Sequence, residues 1–383
     1  MATREMASSE AHPGRLATAA VRSISPYVPG KPISELEREL GLRDIVKLAS
    51  NENPWGTSPQ ALDAMRRALE EVWLYPDGSC HELKHALARH LSVPAECLTL
   101  GNGSNELLLL LTEAFLTPAT SAVYSQYGFA IYALVVQETG ATALVAPAFG
   151  ADTAMPFGHD LDAMARAIRP DTRMVFIANP NNPTGTWVER RPLLRFIEQA
   201  PPSALIVLDE AYGEYAHELG VPDGLDWRER HANLVILRTF SKAYGLAGAR
   251  VGYAVSHPEV ADVLNRLRPA FNVNSIAQAG ALAALADQTH MRRGVAATLA
   301  ELRRVSTALT ALDIAHAPSA ANFLLVHVRT HGGQVYEQLL REGIIVRPMG
   351  GYGLPEHLRV SIGLPTENDR LLSVLPRWVG GRE

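Results

Sequence analysis

Between about residue 95 and residue 255 the chain alternates short apolar runs with helical stretches, and this alternation restricts the possible fold more than any other feature. The runs fall at 122–124, 143–145, 174–178, 205–208, 234–237 and 251–255, with helical patterns such as 160–168 and 191–199 between several of them. Short runs that are apolar throughout predict strands buried on both faces, and their alternation with helices predicts a mostly parallel α/β sheet covered on both sides. In such a sheet ligands gather beyond the carboxyl ends of the strands.

The last part of the chain has a different pattern. A long helical region at 276–312 leads to an apolar run at 322–328, a helix at 333–342 and a run at 358–363. Strand, helix and strand here predict a second, smaller α+β unit. At the other end, small and polar residues predict a mobile N-terminal arm over 1–25. Order is expected from Tyr27-Val-Pro-Gly-Lys-Pro, ahead of a helix starting at Ser34, where Ser34 and Glu37 have the spacing of a capping box. The resulting division is a large domain over 50–275 and a small domain built from 26–49 and 276–383.

Composition excludes several classes. Of 383 residues 47% are hydrophobic and 20% charged, globular proportions that set aside disordered, collagen-like and coiled-coil chains. A net charge of −5 argues against nucleic acid as the main partner. The two cysteines, Cys80 and Cys97, form neither a disulfide framework nor a metal-ligand cluster, which fits a reducing, cytoplasmic setting. The richest apolar run, 107–111, lies between Glu106 and Glu113 and is too short to span a bilayer.

The unusual residues follow the strand ends. After the run at 234–237 come Thr239, Ser241, Lys242 and, eight residues beyond the lysine, Arg250. Hydroxyls and an arginine suit a phosphate, and a lysine beside them suits capture of an aldehyde such as pyridoxal phosphate. Asp209 ends the run at 205–208, a costly place for a charge unless a cation meets it, and a protonated pyridine nitrogen would serve. Tyr212 stands three residues on, within reach of a ring hydroxyl. Asn182 lies in the rigid turn Asn179-Pro-Asn-Asn-Pro-Thr-Gly185. Gly101-Asn-Gly103-Ser104-Asn105 opens a helix, an arrangement that binds phosphate through backbone N–H groups. It is not a dinucleotide fingerprint, because Glu106 stands where the third glycine belongs and no acid follows near residue 125. Tyr127 offers an aromatic face to a cofactor ring. Taken singly, each feature also reads as a loop, a cap or core packing. Together, Asn182, Asp209 and Lys242, spaced 27 and 33 residues apart, meet the needs of pyridoxal phosphate.

These segments, with Leu48-Ala-Ser-Asn-Glu-Asn-Pro-Trp-Gly, Tyr75-Pro-Asp-Gly and Asp209-Glu-Ala-Tyr, resemble the histidinol-phosphate aminotransferase family over nearly the whole chain. The resemblance implies pyridoxal-phosphate fold type I, with a mostly parallel, seven-stranded-type sheet and a smaller α+β domain. It implies Lys242 as the Schiff-base lysine, Asp209 on the pyridinium nitrogen, Asn182 and Tyr212 on the ring oxygen, and Tyr127 stacked on the ring. It places Gly103, Ser104, Asn105, Thr239, Ser241 and Arg250 around the cofactor phosphate, joined by Tyr75 from the neighbouring subunit of a homodimer. Arg359 would grip the substrate's anionic end, with Tyr27 and Asn53 also assigned to substrate. Arg347 starts a loop made flexible by Gly350, Gly351 and Gly353, and can close over a distal anion. The reaction implied is L-histidinol phosphate plus 2-oxoglutarate to imidazole acetol phosphate plus L-glutamate, in histidine biosynthesis. An aromatic amino acid aminotransferase of the same branch, favoured by Phe271-Asn-Val-Asn274, and a decarboxylase resembling the threonine-phosphate decarboxylases remain as alternatives.

Overall fold

A computed structural model describes residues 13–26 and 29–380. Its strands are β1 (Val46–Lys47), β2 (Leu98–Gly101), β3 (Ser121–Ser125), β4 (Thr142–Ala146), β5 (Thr172–Ala178), β6 (Leu205–Asp209), β7 (Leu234–Thr239), β8 (Gly252–Val255), β9 (Phe323–His327), β10 (Ile344–Ile345), β11 (Arg347–Pro348) and β12 (His357–Ser361). Seven of them form one sheet in the order β2-β8-β7-β6-β5-β3-β4. β3 to β7 run parallel with β4 at the edge, while β8 alone is reversed, pairing antiparallel with both β7 and β2.

The central strands β5, β6 and β7 are buried on both faces, as their sequences require, whereas the run 143–145, expected to be covered likewise, lies in edge strand β4 and leaves Val145 exposed. Val175, Ile177, Ile206, Leu208 and Ile236 enter one core, and Met174, Phe176, Val207, Val235 and Leu237 enter the other. Strict alternation between two buried faces explains why these strands read as continuous apolar runs. The helix Ser104–Phe115 covers the second face with Leu107, Leu108, Leu110 and Leu111.

A three-stranded antiparallel sheet, β11-β12-β9, and the parallel pair β1-β10 make up the rest of the strand architecture among the described residues. Two local expectations are corrected. The helical region at 276–312 is two helices, Ser275–Ala286 and Gln288–Ala311, broken at Asp287. The Asp287 carboxylate accepts from His290 N–H at 3.2 Å and from Ser58 Oγ at 2.6 Å, so it caps the second helix and anchors the break. The first long helix is Ile33–Leu40; Pro32 supplies the extended residue ahead of it and no capping box forms at Ser34. Within the arm assigned to 1–25, Ala19–Arg22 is helical, and Ser23 Oγ accepts from Gln137 Nε2.

An ion pair links β7 to the residue after β6 at their carboxyl ends. Arg238 donates to Glu210 Oε2 through Nε (3.0 Å) and Nη2 (2.7 Å), and Nη2 also reaches Asp223 Oδ1 at 2.6 Å. Glu210 is 1% exposed, and its Oε1 accepts from Gly224 N–H. Removing one partner of such a buried pair leaves the other charge uncompensated. Arg238→Met is therefore expected to lower stability by about 3–5 kcal/mol, measured by urea unfolding. A loss under about 1 kcal/mol, the size of a surface pair, would show that the pair does not brace the strand ends.

Candidate active site

Register brings the carboxyl ends of three strands level. Ala178 pairs with Asp209, and Asp209 with Leu237, two residues before Thr239. The loops leaving these ends face a cavity of about 310 Å³. Asn182, Asp209, Tyr212, Thr239, Ser241, Lys242, Ser104, Asn105 and Arg250 line it, and Arg347 and Arg359 close it from β11 and β12.

Asp209 is 5% exposed. Burial pushes its carboxyl pKa up, against hydrogen bonds from Tyr132 Oη to Oδ2 (2.9 Å) and from Ala211 N–H to Oδ1 (3.1 Å). Both donors are neutral, so a cation placed in the cavity would favour the charged carboxylate. Tyr132 is itself fixed, fully buried and stacked on Phe176 at 4.8 Å. Sequence reasoning missed it, since a tyrosine in a helix has no mark separating it from core.

Lys242 Nζ donates to Ser50 O at 3.1 Å. Burial depresses its pKa to about 7, helped by the positive charges of Arg359, Arg250 and Lys47 and opposed by Glu52. Tyr212 Oη accepts from Asn51 Nδ2 at 2.8 Å. Asn51 is anchored in turn: its Oδ1 accepts from Ser361 Oγ, and Asn322 Nδ2 holds its carbonyl. Asn51, in a left-handed conformation at φ 55°, lines the cavity. Asn53, the asparagine assigned to substrate, does not. Its amide donates to Ala243 O at 2.9 Å and its Oδ1 accepts from Trp55 N–H, which ties down the loop after Lys242.

Arg359 is 7% exposed, with Nη1 donating to Asn182 Oδ1 at 2.7 Å and Nη2 to Ala49 O at 2.5 Å. It thus joins the small sheet to the turn after β5. Arg347 stands directly opposite it in the β11–β12 register and lines the same cavity.

At the other end Gly103 precedes the helix Ser104–Phe115 with no side-chain cap, so its first N–H groups lack one. Gly103 has φ +82°, and a Cβ there would lie 2.2 Å from Arg250 Nη2. Only glycine lets the guanidinium pack so closely on the loop. Arg250 Nη1 donates to Ser241 Oγ at 3.2 Å, and Ser241 N–H donates to Thr239 Oγ1 at 3.1 Å.

One predicted contact is displaced. Tyr127 lines an adjoining cavity, edge-on to Phe157 at 5.4 Å, while its carbonyl accepts from Asn181 Nδ2. The chain turns sharply here, with Gly128 N–H donating to Ser125 O, and Phe129 is the aromatic residue that lines the active cavity. Tyr75 is 83% exposed, stacked on Phe271 at 4.8 Å, and outside its own chain's cavity. Tyr27 lies outside the described residues.

A guanidinium, two hydroxyls and a helix N-terminus suit a phosphate dianion; a buried carboxylate suits a ring cation; a lysine on the same wall suits an aldehyde. The donor set therefore fits pyridoxal phosphate. The chain matches the model of the aminotransferase class I and II family over residues 43–375 and belongs to that family. Among its curated relatives are histidinol-phosphate aminotransferases. That of Nitrosococcus oceani is 52% identical over 94% of this chain and 96% of its own length, and a second from Pseudomonas aeruginosa is also 52% identical, over 94% and 96%. The solved histidinol-phosphate aminotransferase of Sinorhizobium meliloti, a complex with pyridoxal 5'-phosphate, superposes with a TM-score of 0.86 at 30% identity, covering 95% of this chain and 97% of that one.

An amine captures an aldehyde only when unprotonated. Capture of pyridoxal phosphate by the cofactor-free chain is therefore expected to accelerate with pH through about 7, as Nζ loses its proton. Arg359→Gln removes a neighbouring positive charge and should move the midpoint upward. Stopped-flow absorbance across the pH range measures both; a wild-type midpoint at about 10.4, that of an exposed lysine, would contradict the assignment.

Proposed function

We propose that the chain transfers the amino group of L-histidinol phosphate to 2-oxoglutarate with pyridoxal phosphate as cofactor. The observation that carries the choice of substrate is the pair Arg347 and Arg359, paired across β11 and β12 on one cavity wall. Guanidinium binds phosphate and carboxylate alike in fork geometry, so this wall suits both substrates. The names of the curated relatives agree.

The cofactor, when bound, supplies an aldehyde to carry the amino group and a ring that takes up the electron pair left by the α-proton. The chain's residues do the rest. Ser104, Ser241 and Arg250 would hold the phosphate, with Thr239 orienting Ser241 through its N–H. Asp209, oriented by Tyr132, would keep a proton on the ring nitrogen. Asn182 and Tyr212 would bind the ring oxygen, each preset by a neighbour, Arg359 and Asn51. Lys242 Nζ, with a pKa brought to about 7, would take the α-proton and return it, as suits an acid–base group working near neutrality.

We place the working unit as a homodimer. Val72, Trp73, Leu74 and Tyr75 expose apolar surface beside Phe271, with Trp73 79% exposed, and a second copy would cover it. Tyr75 would then serve the neighbouring site. Two free, buried cysteines support a reducing, cytoplasmic setting, and no helix among the described residues is long and apolar enough to cross a membrane.

Two measurements test this reading. In single-turnover half-reactions, Arg347→Ala should slow L-histidinol phosphate more than phenylalanine by roughly tenfold or more, since only the former carries a distal anion and a charged hydrogen bond is worth about 1.5–3 kcal/mol. Equal losses would favour the aromatic aminotransferase, and release of CO₂ a decarboxylase. Sedimentation should find a dimer; a fully active monomer would rule out the shared site.

A further inference from the structure

Glu106 occupies the first turn of the helix whose N-terminus faces the phosphate end of the cavity, an adverse position for a negative charge beside an anionic ligand. Its carboxylate is engaged elsewhere through one oxygen. Oε2 accepts from Asn102 N–H at 2.6 Å and from Asn272 Nδ2 at 2.5 Å. Asn272 Nδ2 also donates to Leu100 O at 3.2 Å, the carbonyl just ahead of the loop. Arg268 fixes the asparagine, donating from Nη1 to Asn272 Oδ1 at 2.7 Å, and its Nη2 donates to Gly78 O at 2.8 Å.

We propose that Glu106, Asn272 and Arg268 are positioning residues that preset the loop 101–105 to receive the cofactor phosphate. Glu106 takes the N–H of Asn102, and Asn272 bridges that carboxylate to the β2 carbonyl. The loop is tied across from Asn102 to Glu106, and Ser104 and Asn105 at the start of the helix line the cavity. A loop held in its binding conformation loses less freedom when the ligand arrives. Arg268 extends the hold to the Tyr75-Pro-Asp-Gly turn, whose Asp77 carbonyl also accepts from Gln278 Nε2 at 3.0 Å. Within one chain, the loop for its own cofactor phosphate and the Tyr75 turn offered to the neighbouring site are thereby fastened to one segment, 268–278.

The inference rests on the pyridoxal-phosphate reading of the cavity. Its sign separates it from plain electrostatics. Were repulsion between Glu106 and the phosphate the dominant effect, removing the carboxylate would tighten binding; the positioning role requires the opposite. The experiment titrates the cofactor-free full chain with pyridoxal phosphate and, separately, with pyridoxal, which lacks the phosphate. Glu106→Leu and Asn272→Leu are each expected to weaken pyridoxal phosphate roughly ten- to a hundredfold, the range for losing charge-assisted hydrogen bonds. Pyridoxal affinity should stay within about twofold of wild type, because Lys242 and Asp209 are untouched. Tighter pyridoxal-phosphate binding, or equal losses for both aldehydes in both variants, would overturn the proposal. Failure of the wild-type chain to bind either aldehyde would instead remove the reading beneath it.

Discussion

A carboxylate buried at the end of a central strand is the constraint on which the rest of the site depends. Asp209 ends β6, where burial disfavours its charge and its two donors, Tyr132 Oη and Ala211 N–H, are neutral. A cation opposite such a group stabilises its charged form further. The fold meets this by leaving a cavity rather than a side chain in front of it. Lys242 is presented from β7, the next strand, yet its depressed pKa keeps it from acting as a permanent counter-ion. An acid that calls for a cation and a lysine that gives up its proton near neutrality are complementary requirements, and a protonated ring aldehyde satisfies both.

The second organising contact is Arg359. Its guanidinium leaves β12 in the small sheet and reaches the Asn182 turn and the Ala49 carbonyl, so one side chain ties the small sheet to two segments that border the cavity. At the strand ends the Arg238–Glu210 pair links the residues next to Thr239 and Asp209.

Much of this was legible in the sequence because burial on both faces makes β5, β6 and β7 continuous apolar runs. A polar residue that ends such a run is then conspicuous, and Asn182, Asp209 and Lys242 follow strand ends. What stayed hidden depends on direction rather than residue type. Tyr127 and Phe129 are both aromatic and two residues apart; the turn at Gly128 decides which lines the cavity. Asn51 and Asn53 are equally plausible in their motif, and the left-handed backbone at Asn51 selects it. Tyr132 acts through a hydrogen bond to a residue 77 positions away, a separation no local pattern encodes. The break at Asp287 was missed because aspartate interrupts a helix only when its carboxylate finds partners, here Ser58 and the His290 amide.

The central claim is that Asp209 keeps the cofactor's ring nitrogen protonated. The direct measurement is the nitrogen-15 chemical shift of ring-labelled pyridoxal phosphate bound to the wild-type chain and to Asp209→Asn. The account predicts a protonated nitrogen across the neutral range in the wild type, and loss of that proton together with transamination in the variant. An unprotonated nitrogen in the wild type, or the same protonated signal in both, would contradict it.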